Sequence, residues 1–341
     1  MTCTTENNQN GKGASGDIQA IELTKVEEVE VEIEKVPQQN LDLQKTAENT
    51  DTKPVDVAPV PDKEIEEVDN KAQVITKSLP IRFVVVHGGK GGTGKSMWTR
   101  GVLQTCIDAK RKIVAVDADN TNPDLLRYYG ESGEHFQIQK LNVFKDGSMD
   151  RFFDQIRKMI EPQLDTYNQP SPSPSLFLLE LPPQSSQVFK KFIEQGFLET
   201  AANDYNIRVT IVVVISRVSD SVKQLIDLYS YCGDKVDYIV VKNLFYGEEE
   251  EFSRYNNSPI IEQIKQKLLA SGTPISEVTM PDLLEYVYDY LDEKSLPFSE
   301  GIKQTELPGV KMRVRTWLKT FKQQIEPVKH LLGLESMNVE N

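Results

Sequence analysis

The chain has 341 residues, of which 38% are hydrophobic and 27% are charged, so its length and apolar content suit one large domain or two smaller ones. Its formal net charge of −13 argues against general electrostatic attraction to nucleic acid or to an anionic membrane. The charge is uneven, because residues 1–80 hold 17 acidic and 8 basic residues and the rest of the chain carries only −4. The composition therefore still permits a local basic surface on the larger part of the chain.

The three cysteines, Cys3, Cys106 and Cys232, have no close spacing, which argues against a disulfide scaffold or a cysteine-rich metal site. No stretch approaches the roughly 18 apolar residues of a membrane-spanning helix. The N-terminus also lacks the basic region and apolar run of a secretory signal. The sequence therefore predicts a reduced, cytoplasmic protein.

Residues 1–79 contain no aromatic residue and are rich in acidic and amide side chains, so they cannot bury enough apolar surface to offset the entropy lost on folding. We expect a disordered acidic tail that ends in a linker, with an extended proline-containing stretch at residues 54–61. Residues 26–34 largely alternate valine or isoleucine with glutamate. An acidic docking segment for a basic partner is the alternative interpretation of that stretch.

From residue 80 to residue 335 the sequence pattern changes to short β-branched runs separated by segments with helical periodicity. Strands are predicted at residues 81–87, 112–117, 176–179, 209–215 and 236–241. Helices are predicted at residues 95–109, 148–161, 185–201, 219–231, 257–272, 281–293 and 309–332. This alternation predicts one α/β domain with a mostly parallel sheet flanked by helices, and the proline-rich stretch 161–175 is expected to be a surface loop.

The segment Gly89–Ser96 satisfies the pattern G-x-x-x-x-G-K-[ST], between a predicted buried strand and a predicted helix. Glycines allow successive backbone N–H groups to turn around phosphate oxygens, and the helix N-terminus adds its positive dipole end. Lys95 can then reach the terminal phosphates, and the Ser96 hydroxyl can ligate Mg²⁺. A glycine-rich turn without a ligand is the alternative.

A second lysine, Lys90, makes the loop resemble the K-G-G-x-G-K-[ST] sequence of the deviant Walker A proteins, the ParA/MinD family of P-loop ATPases. The resemblance implies ATP and Mg²⁺ as cofactors and a homodimer formed around ATP. In that dimer Lys90 reaches the partner's nucleotide, and with Lys95 it belongs to the catalytic set; a solvated loop lysine is the alternative. The implied nucleotide-binding residues in the loop are Gly89, Lys90, Gly91, Gly92, Thr93, Gly94, Lys95, Ser96 and Met97.

The second predicted strand ends in Asp117-Ala118-Asp119, which resembles the D-x-D motif of the family. Carboxylates at this end of a strand face the crevice in which α/β sheets bind ligands. The resemblance assigns Asp119 to orienting the attacking water and Asp117 to supporting the Mg²⁺ region. The continuation Asn120–Asp124 departs from the common D-P-Q-G-N sequence. Two aspartates that form a turn and cap a following helix are the alternative.

Two further strand ends resemble the family. Glu180, before Pro182 and Pro183, stands where the family has an aspartate that holds a Mg²⁺-bound water, so the implied metal residues are Ser96, Asp117 and Glu180. Its side chain is one methylene longer than aspartate, which matters because Mg²⁺ requires near-ideal octahedral geometry. Asn243 matches the asparagine that reads the adenine edge. The alternatives are a strand-end acid beside a Pro-Pro turn for Glu180 and an ordinary strand-terminating turn residue for Asn243.

The resemblance implies a slow ATPase that a partner protein stimulates and that positions a cargo. Within the family, the sequence looks more like the plasmid-borne conjugal-transfer and mobilisation relatives than like standard chromosome segregation proteins. The implied roles are plasmid partition, mobilisation or cargo positioning. A nucleotide-sensing adaptor with little or no hydrolysis is the main alternative, because of Glu180 and the altered stretch after Asp119. A P-loop kinase for a small molecule is a third hypothesis.

The last predicted helix has one apolar face and several basic residues on its other faces. We expect a closing helix that packs on the sheet and leaves its lysines in solvent. A helix that contacts non-specific DNA and a membrane-surface helix are the alternatives. The apolar positions are Val310, Val314, Trp317, Leu318, Phe321 and Ile325.

Overall fold

The computed structural model describes residues 80–87, 89–164 and 176–335, so the predicted tail at residues 1–79 and most of the predicted loop at 161–175 lie outside it. Within the described residues, seven strands form one sheet in which every neighbouring pair is parallel, in the order β3-β2-β4-β1-β5-β6-β7. The strands are β1 Ile81–His87, β2 Ile113–Asp117, β3 Phe136–Lys140, β4 Leu176–Glu180, β5 Ile207–Ile215, β6 Asp237–Asn243 and β7 Ser276–Met280.

Helices connect the strands and cover both faces of the sheet, which confirms the predicted α/β fold with a parallel sheet flanked by helices. They are α1 Lys95–Asp108, α2 Asp124–Tyr129, α3 Ser148–Leu164, α4 Ser186–Glu194, α5 Phe197–Tyr205, α6 Ser219–Cys232, α7 Ser253–Asn256, α8 Pro259–Ala270, α9 Glu285–Glu293, α10 Phe298–Lys303 and α11 Pro308–Ile325.

The core has two layers, because the central strands bury side chains on both faces. On β1, Phe83 and Val85 belong to the layer beneath α3 to α6 and α8. Val84 and Val86 belong to the opposite layer, which lies beneath α1 and α9 to α11. Within the described residues, helices therefore cover the sheet on both faces.

Several predicted elements differ from the observed ones. The predicted helix 185–201 is two helices, α4 and α5, because the chain turns at Gly196 with φ of +93°. The predicted helix 309–332 ends at Ile325, where a 3-10 turn containing Pro327 follows, since proline cannot donate to a continued helix. Strand β3 was not predicted, because its five residues include only two apolar side chains, Phe136 and Ile138, and so lack the continuous apolar run by which the other strands were predicted.

The apolar face of α11 is buried against α1, β7 and α10, as the packed-helix prediction expects. Trp317 stacks between Phe298 and Phe321, with ring centroids 4.8 and 5.0 Å apart. A membrane surface therefore cannot use this face, and the membrane-surface interpretation of α11 is wrong. Basic residues such as Arg313 and Lys319 remain exposed, so the DNA alternative stays a prediction.

Parallel register brings polar strand ends together at the carboxyl edge of the sheet. Glu180 at the end of β4 is level with Asp117 on β2 and with Val86 on β1. Asn243 on β6 is likewise level with Met280 on β7. Residues that are far apart in sequence therefore meet beside the loop that follows β1, where parallel sheets bind ligands.

Candidate functional site

A cleft of about 570 Å³ lies at this carboxyl edge, beside the glycine-rich loop. Its walls come from the loop and α1, from the segments after β2, β4 and β6, and from the segment between β7 and α9. The lining residues are Gly91, Gly92, Gly94, Lys95, Ser96, Met97, Asp119, Asn122, Asp124, Glu180, Pro183, Asn243, Phe245, Tyr246, Met280, Pro281, Asp282, Leu283, Glu285, Tyr288 and Asp289.

Most of the predicted site residues line this cleft. Those that do are Gly91, Gly92, Gly94, Lys95, Ser96, Met97, Asp119, Glu180 and Asn243. The predicted residues outside the lining are Gly89, Lys90, Thr93 and Asp117. The structure therefore brings together one end of the loop, one aspartate of the D-x-D motif and the two later strand-end residues.

Gly94 precedes the first residue of α1 and has φ of +99°, a left-handed conformation that suits glycine. It also lies against the ends of two strands. A Cβ atom at this position would collide with the Nδ2 atom of Asn243 and would lie 3.0 Å from the Cε atom of Met280. Both the backbone angle and the close approach require glycine, and together they fix the start of α1 against β6 and β7.

Lys95 is buried at the N-terminus of α1, and its Nζ atom donates a hydrogen bond of 3.1 Å to the Lys90 carbonyl oxygen. Burial lowers the pKa of Lys95, whereas the nearby Glu180 and Asp119 carboxylates raise it. One carbonyl partner leaves further N–H donors of the ammonium group for phosphate oxygens. The helix dipole adds positive potential at the same point.

Lys90 lies on the exposed side of the loop. Its Nζ atom is 3.5 Å from the Asp220 Oδ2 atom, and both side chains are about half exposed. Exposed ion pairs contribute little to stability, so this contact can be exchanged for another at small cost. The Lys90 side chain is therefore accessible from solvent.

Ser96 and Glu180 join the start of α1 to the end of β4. The Ser96 Oγ atom donates a hydrogen bond of 2.5 Å to the Glu180 Oε1 atom. Burial raises the pKa of Glu180 to about 7, the hydrogen bond from Ser96 lowers it, and the nearby Asp117 raises it. The site therefore contains a buried carboxylate whose negative charge a cation would stabilise.

The two aspartates of the D-x-D motif have different surroundings. Asp117 is buried behind the cleft, where its Oδ2 atom accepts hydrogen bonds from the backbone N–H groups of Leu125 and Leu126 in the first turn of α2. Burial raises its pKa to about 6 although these bonds lower it. Asp119 reaches the cleft, and its Oδ1 atom accepts hydrogen bonds from Thr121 and Asn122.

Both aspartates therefore make the contacts expected if they only form a turn and cap the following helix: Asp119 accepts bonds in its own turn and Asp117 caps α2. These contacts leave part of each carboxylate for another partner, because an ionised carboxylate has four acceptor sites. In Asp119 the hydrogen bonds involve Oδ1, and the side chain still lines the cleft.

Asn243 connects the loop to the segment that follows β6. Its Nδ2 atom donates a hydrogen bond of 2.9 Å to the Thr93 carbonyl oxygen. Its Oδ1 atom accepts one of 3.1 Å from the Phe245 N–H group and caps the 3-10 turn Leu244–Tyr246. The amide lies in the cleft, as the resemblance implies, and in this structure it braces the glycine-rich loop.

Sequence patterns missed several residues of the cleft. Phe245 and Tyr246 lie two and three residues after Asn243, in the turn that it caps, and the Tyr246 hydroxyl donates a hydrogen bond to the Gly92 carbonyl oxygen. Two aromatic residues in the turn after a strand-end asparagine were the available signal. Tyr288 and Asp289 come from α9, and no local pattern indicated that this helix borders the cleft.

The residues at Ser96 and Glu180 fit a Mg²⁺ ion. The described residues hold no cluster of three or more His, Cys, Asp or Glu side chains arranged for a metal. Mg²⁺ sites of nucleotide-binding proteins need fewer, because phosphate oxygens and water supply most of the ligands. The Ser96 hydroxyl donates its hydrogen to Glu180, so the lone pairs of its oxygen are available to bind a cation.

Over the described part of the chain, the helices are all too short or too polar to cross a bilayer. This finding agrees with the absence of a long apolar stretch in the sequence.

No protein-family model matches the chain. Protein MobD of Acidithiobacillus ferrooxidans is 25% identical to it over 248 residues, which is 72% of this chain and 97% of MobD. The match spans nearly the whole of that protein, and the homology is distant.

Among solved structures, the MinD cell division protein of Aquifex aeolicus aligns with a TM-score of 0.38 and 17% identity, over 76% of this chain and 99% of MinD. A nucleotide-binding protein of Archaeoglobus fulgidus, in complex with ADP, aligns with a TM-score of 0.36 and 16% identity, over 64% and 88%. Because both scores are below 0.5, the fold assignment depends on the strand order and on the loop between β1 and α1. They show an α/β fold with a seven-stranded parallel sheet flanked by helices and a glycine-rich loop after β1.

Proposed function

We propose that the chain is an ATP-binding dimerisation switch of the ParA/MinD type that hydrolyses ATP slowly. The observation that carries the proposal is the convergence of three loop glycines, Lys95 and the Ser96–Glu180 pair on one cleft. Glycine-rich backbone at a helix N-terminus, a lysine and a hydroxyl beside a carboxylate form the set that phosphoryl transfer requires. ATP is the ligand that this set fits.

In the proposed complex, the loop N–H groups and Lys95 bind the phosphates, and Ser96 and Glu180 hold Mg²⁺ with Asp117 behind them. Bound Mg²⁺ would neutralise charge on the phosphate oxygens. Asp119 lies near Lys95 in the same cleft and orients the attacking water through the carboxylate oxygen that the turn leaves available. The chemistry is mostly positioning and charge neutralisation.

In the proposed dimer, two copies close face to face around ATP and Lys90 of each reaches the nucleotide of the other. The exposed, weak contact between Lys90 and Asp220 supports this role, because little free energy is lost when it breaks. Hydrolysis then releases the dimer, and a partner protein stimulates that step. The similarity to Protein MobD supports a role in mobilising or positioning a plasmid or a transfer complex.

An adaptor that senses ATP with little hydrolysis is the second candidate. Two observations favour it: the longer carboxylate of Glu180 at the metal position, and the hydrogen bonds that engage Asp119 in its own turn. A stable ATP-bound dimer that releases no phosphate even with its partner would identify this function.

The test is light scattering of the full chain with ADP and with ATP, with released phosphate followed in parallel. We expect ATP alone to produce a dimer, Lys90→Ala to abolish the dimer while retaining ATP binding, and Lys95→Ala to lose ATP binding. Lys303→Ala is the matched control, because Lys303 is also an exposed lysine paired with one carboxylate, that of Glu300. If size never responds to nucleotide although ATP binds, the dimer role of Lys90 is wrong.

A further inference from the structure

The cleft contains an exposed aromatic side chain that has no role in the phosphate and metal binding proposed above. Phe245 is 63% exposed, yet it lines the cleft together with Met280, Pro281 and Leu283. Ligand sites present apolar and aromatic surface inside a concave wall, with a few polar groups that set orientation. A ring left open at this position is suited to a flat ligand.

Four contacts determine where Phe245 lies relative to the loop. Its N–H group donates a hydrogen bond to Asn243, whose amide in turn donates to Thr93. Its ring packs edge-on against Tyr246, with centroids 5.2 Å apart and planes at 88°. The Tyr246 hydroxyl donates to the Gly92 carbonyl oxygen. The ring is therefore held at a defined place beside the phosphate loop.

We propose, on the basis of the nucleotide-binding function proposed above, that Phe245 is the stacking platform for the base of the bound nucleotide. Every base has a π face, and offset or edge-on aromatic contacts are favourable beyond the area that they bury. Asn243 uses one N–H donor and one acceptor lone pair within the protein, and stacking on Phe245 adds affinity for the base that does not depend on what remains of them. Phe245 is then an affinity-determining residue that contacts the nucleotide away from the reacting phosphates.

The test compares ADP with inorganic pyrophosphate, because pyrophosphate occupies the loop without a base. Both ligands are titrated with Mg²⁺ into the full chain by calorimetry; ADP is used because the proposed dimer forms with ATP. We expect Phe245→Ala to weaken ADP binding about tenfold, equivalent to about 1.4 kcal/mol. Pyrophosphate binding should not change, and Phe245→Tyr should retain ADP affinity because it keeps the ring.

Phe144→Ala is the matched control, since Phe144 is also a highly exposed phenylalanine, at 56%, and does not line this cleft. It should leave both affinities unchanged. Equal ADP affinity in the parent and in Phe245→Ala would overturn the proposal. An equal loss for ADP and pyrophosphate would also overturn it, because Phe245 would then act through the loop. A parent chain that binds neither ligand would overturn the proposed function itself, and the stacking role with it.

A spectroscopic measurement gives a second readout that does not depend on affinity. The chain has two tryptophans, Trp98 and Trp317, and both are buried. In Phe245→Trp, the introduced indole is the exposed fluorophore at the cleft. We expect ADP to change its emission and pyrophosphate to leave it unchanged; an identical response to both ligands, or no response to ADP, would contradict stacking.

Discussion

The Ser96 hydroxyl and the Glu180 carboxylate are joined by a hydrogen bond of 2.5 Å across the carboxyl edge of the sheet. The bond links the first turn of the loop helix to the end of the neighbouring strand β4. Glu180, whose side chain is one methylene longer than the aspartate that the family resemblance implies, therefore holds its carboxylate within hydrogen-bond distance of the serine.

Glu180→Ala should slow phosphate release tenfold to a hundredfold, the usual loss when a group that orients a metal ligand is removed. The reason is that Ser96 loses the acceptor that orients its hydroxyl and the site loses its buried negative charge. Phosphate release and the Mg²⁺ dependence of ADP affinity measure the effect. Glu180→Asp keeps the carboxylate but shortens the side chain by one methylene, so it separates the effect of the charge from that of the side-chain length. Unaltered hydrolysis in Glu180→Ala would contradict the assignment.

Gly94→Ala should abolish nucleotide binding, because the added Cβ collides with the Asn243 amide and the backbone has φ of +99°. The start of α1 must then shift away from β6, which displaces the loop N–H groups. Gly272→Ala is the control: Gly272 has φ of +79° but open space around it, so it tests the backbone cost alone. ADP titration of both variants is the measurement, and retained binding in Gly94→Ala would contradict the prediction.

Gly101→Ala should lower the free energy of unfolding by about 1 to 3 kcal/mol, the range for overpacked cores. The added Cβ would lie 2.6 to 2.8 Å from atoms of the Phe321 ring, where α1 crosses α11. Gly309→Ala, at the start of α11, meets no atom closer than 3.4 Å and serves as the control. Denaturant unfolding compares the two, and equal stability would show that the contact between α1 and α11 can relax without cost.

Asp237→Asn should destabilise the protein at neutral pH by roughly 2 kcal/mol, somewhat less than for a fully buried ion pair. Asp237 pairs with Arg82 and Arg208, and these contacts hold its pKa below the ordinary value of 3.8 in spite of burial. A lowered carboxylate pKa contributes stability above the unfolded-state pKa, and that contribution is lost as pH falls through the folded-state value.

The difference in the free energy of unfolding between the parent and Asp237→Asn should therefore have its full value at pH 7 and should decrease below about pH 4. Denaturant midpoints measured across this range check the prediction. ADP binding should not change at pH 7, because Asp237 begins β6 at the edge of the sheet opposite the cleft. A difference in stability that is independent of pH would contradict the ion-pair explanation.

Local sequence was sufficient to predict the architecture and the glycine-rich loop between β1 and α1. The buried β-branched runs of β1, β2 and β5 and the loop Gly89–Ser96 are contiguous, and their signals do not depend on distant residues. Elements whose signals were short or mixed were missed or misjudged. Strand β3 is a five-residue edge strand with only two apolar residues, so it has no continuous apolar run. Gly196 divides into two helices a segment whose periodicity predicted one helix.

The composition of the cleft was only partly predictable, because register and chain crossings decide which strand ends become neighbours. The motif Asp117–Asp119 predicted two carboxylates at one edge, but α2 draws Asp117 behind the cleft and leaves Asp119 in it. Phe245 reaches the site through a turn capped by Asn243, which no periodic pattern encodes.

The sequence by itself determined the α/β class, the glycine-rich loop and the polar residues that end its strands, because each of these is written in a few consecutive side chains. Only the tertiary structure decided that α11 buries its apolar face against α1, that Glu180 meets Ser96, and that an aromatic ring faces the cleft beside the loop. The physical reason is that burial and contact depend on what packs against a residue, and those partners lie tens to hundreds of positions away along the chain.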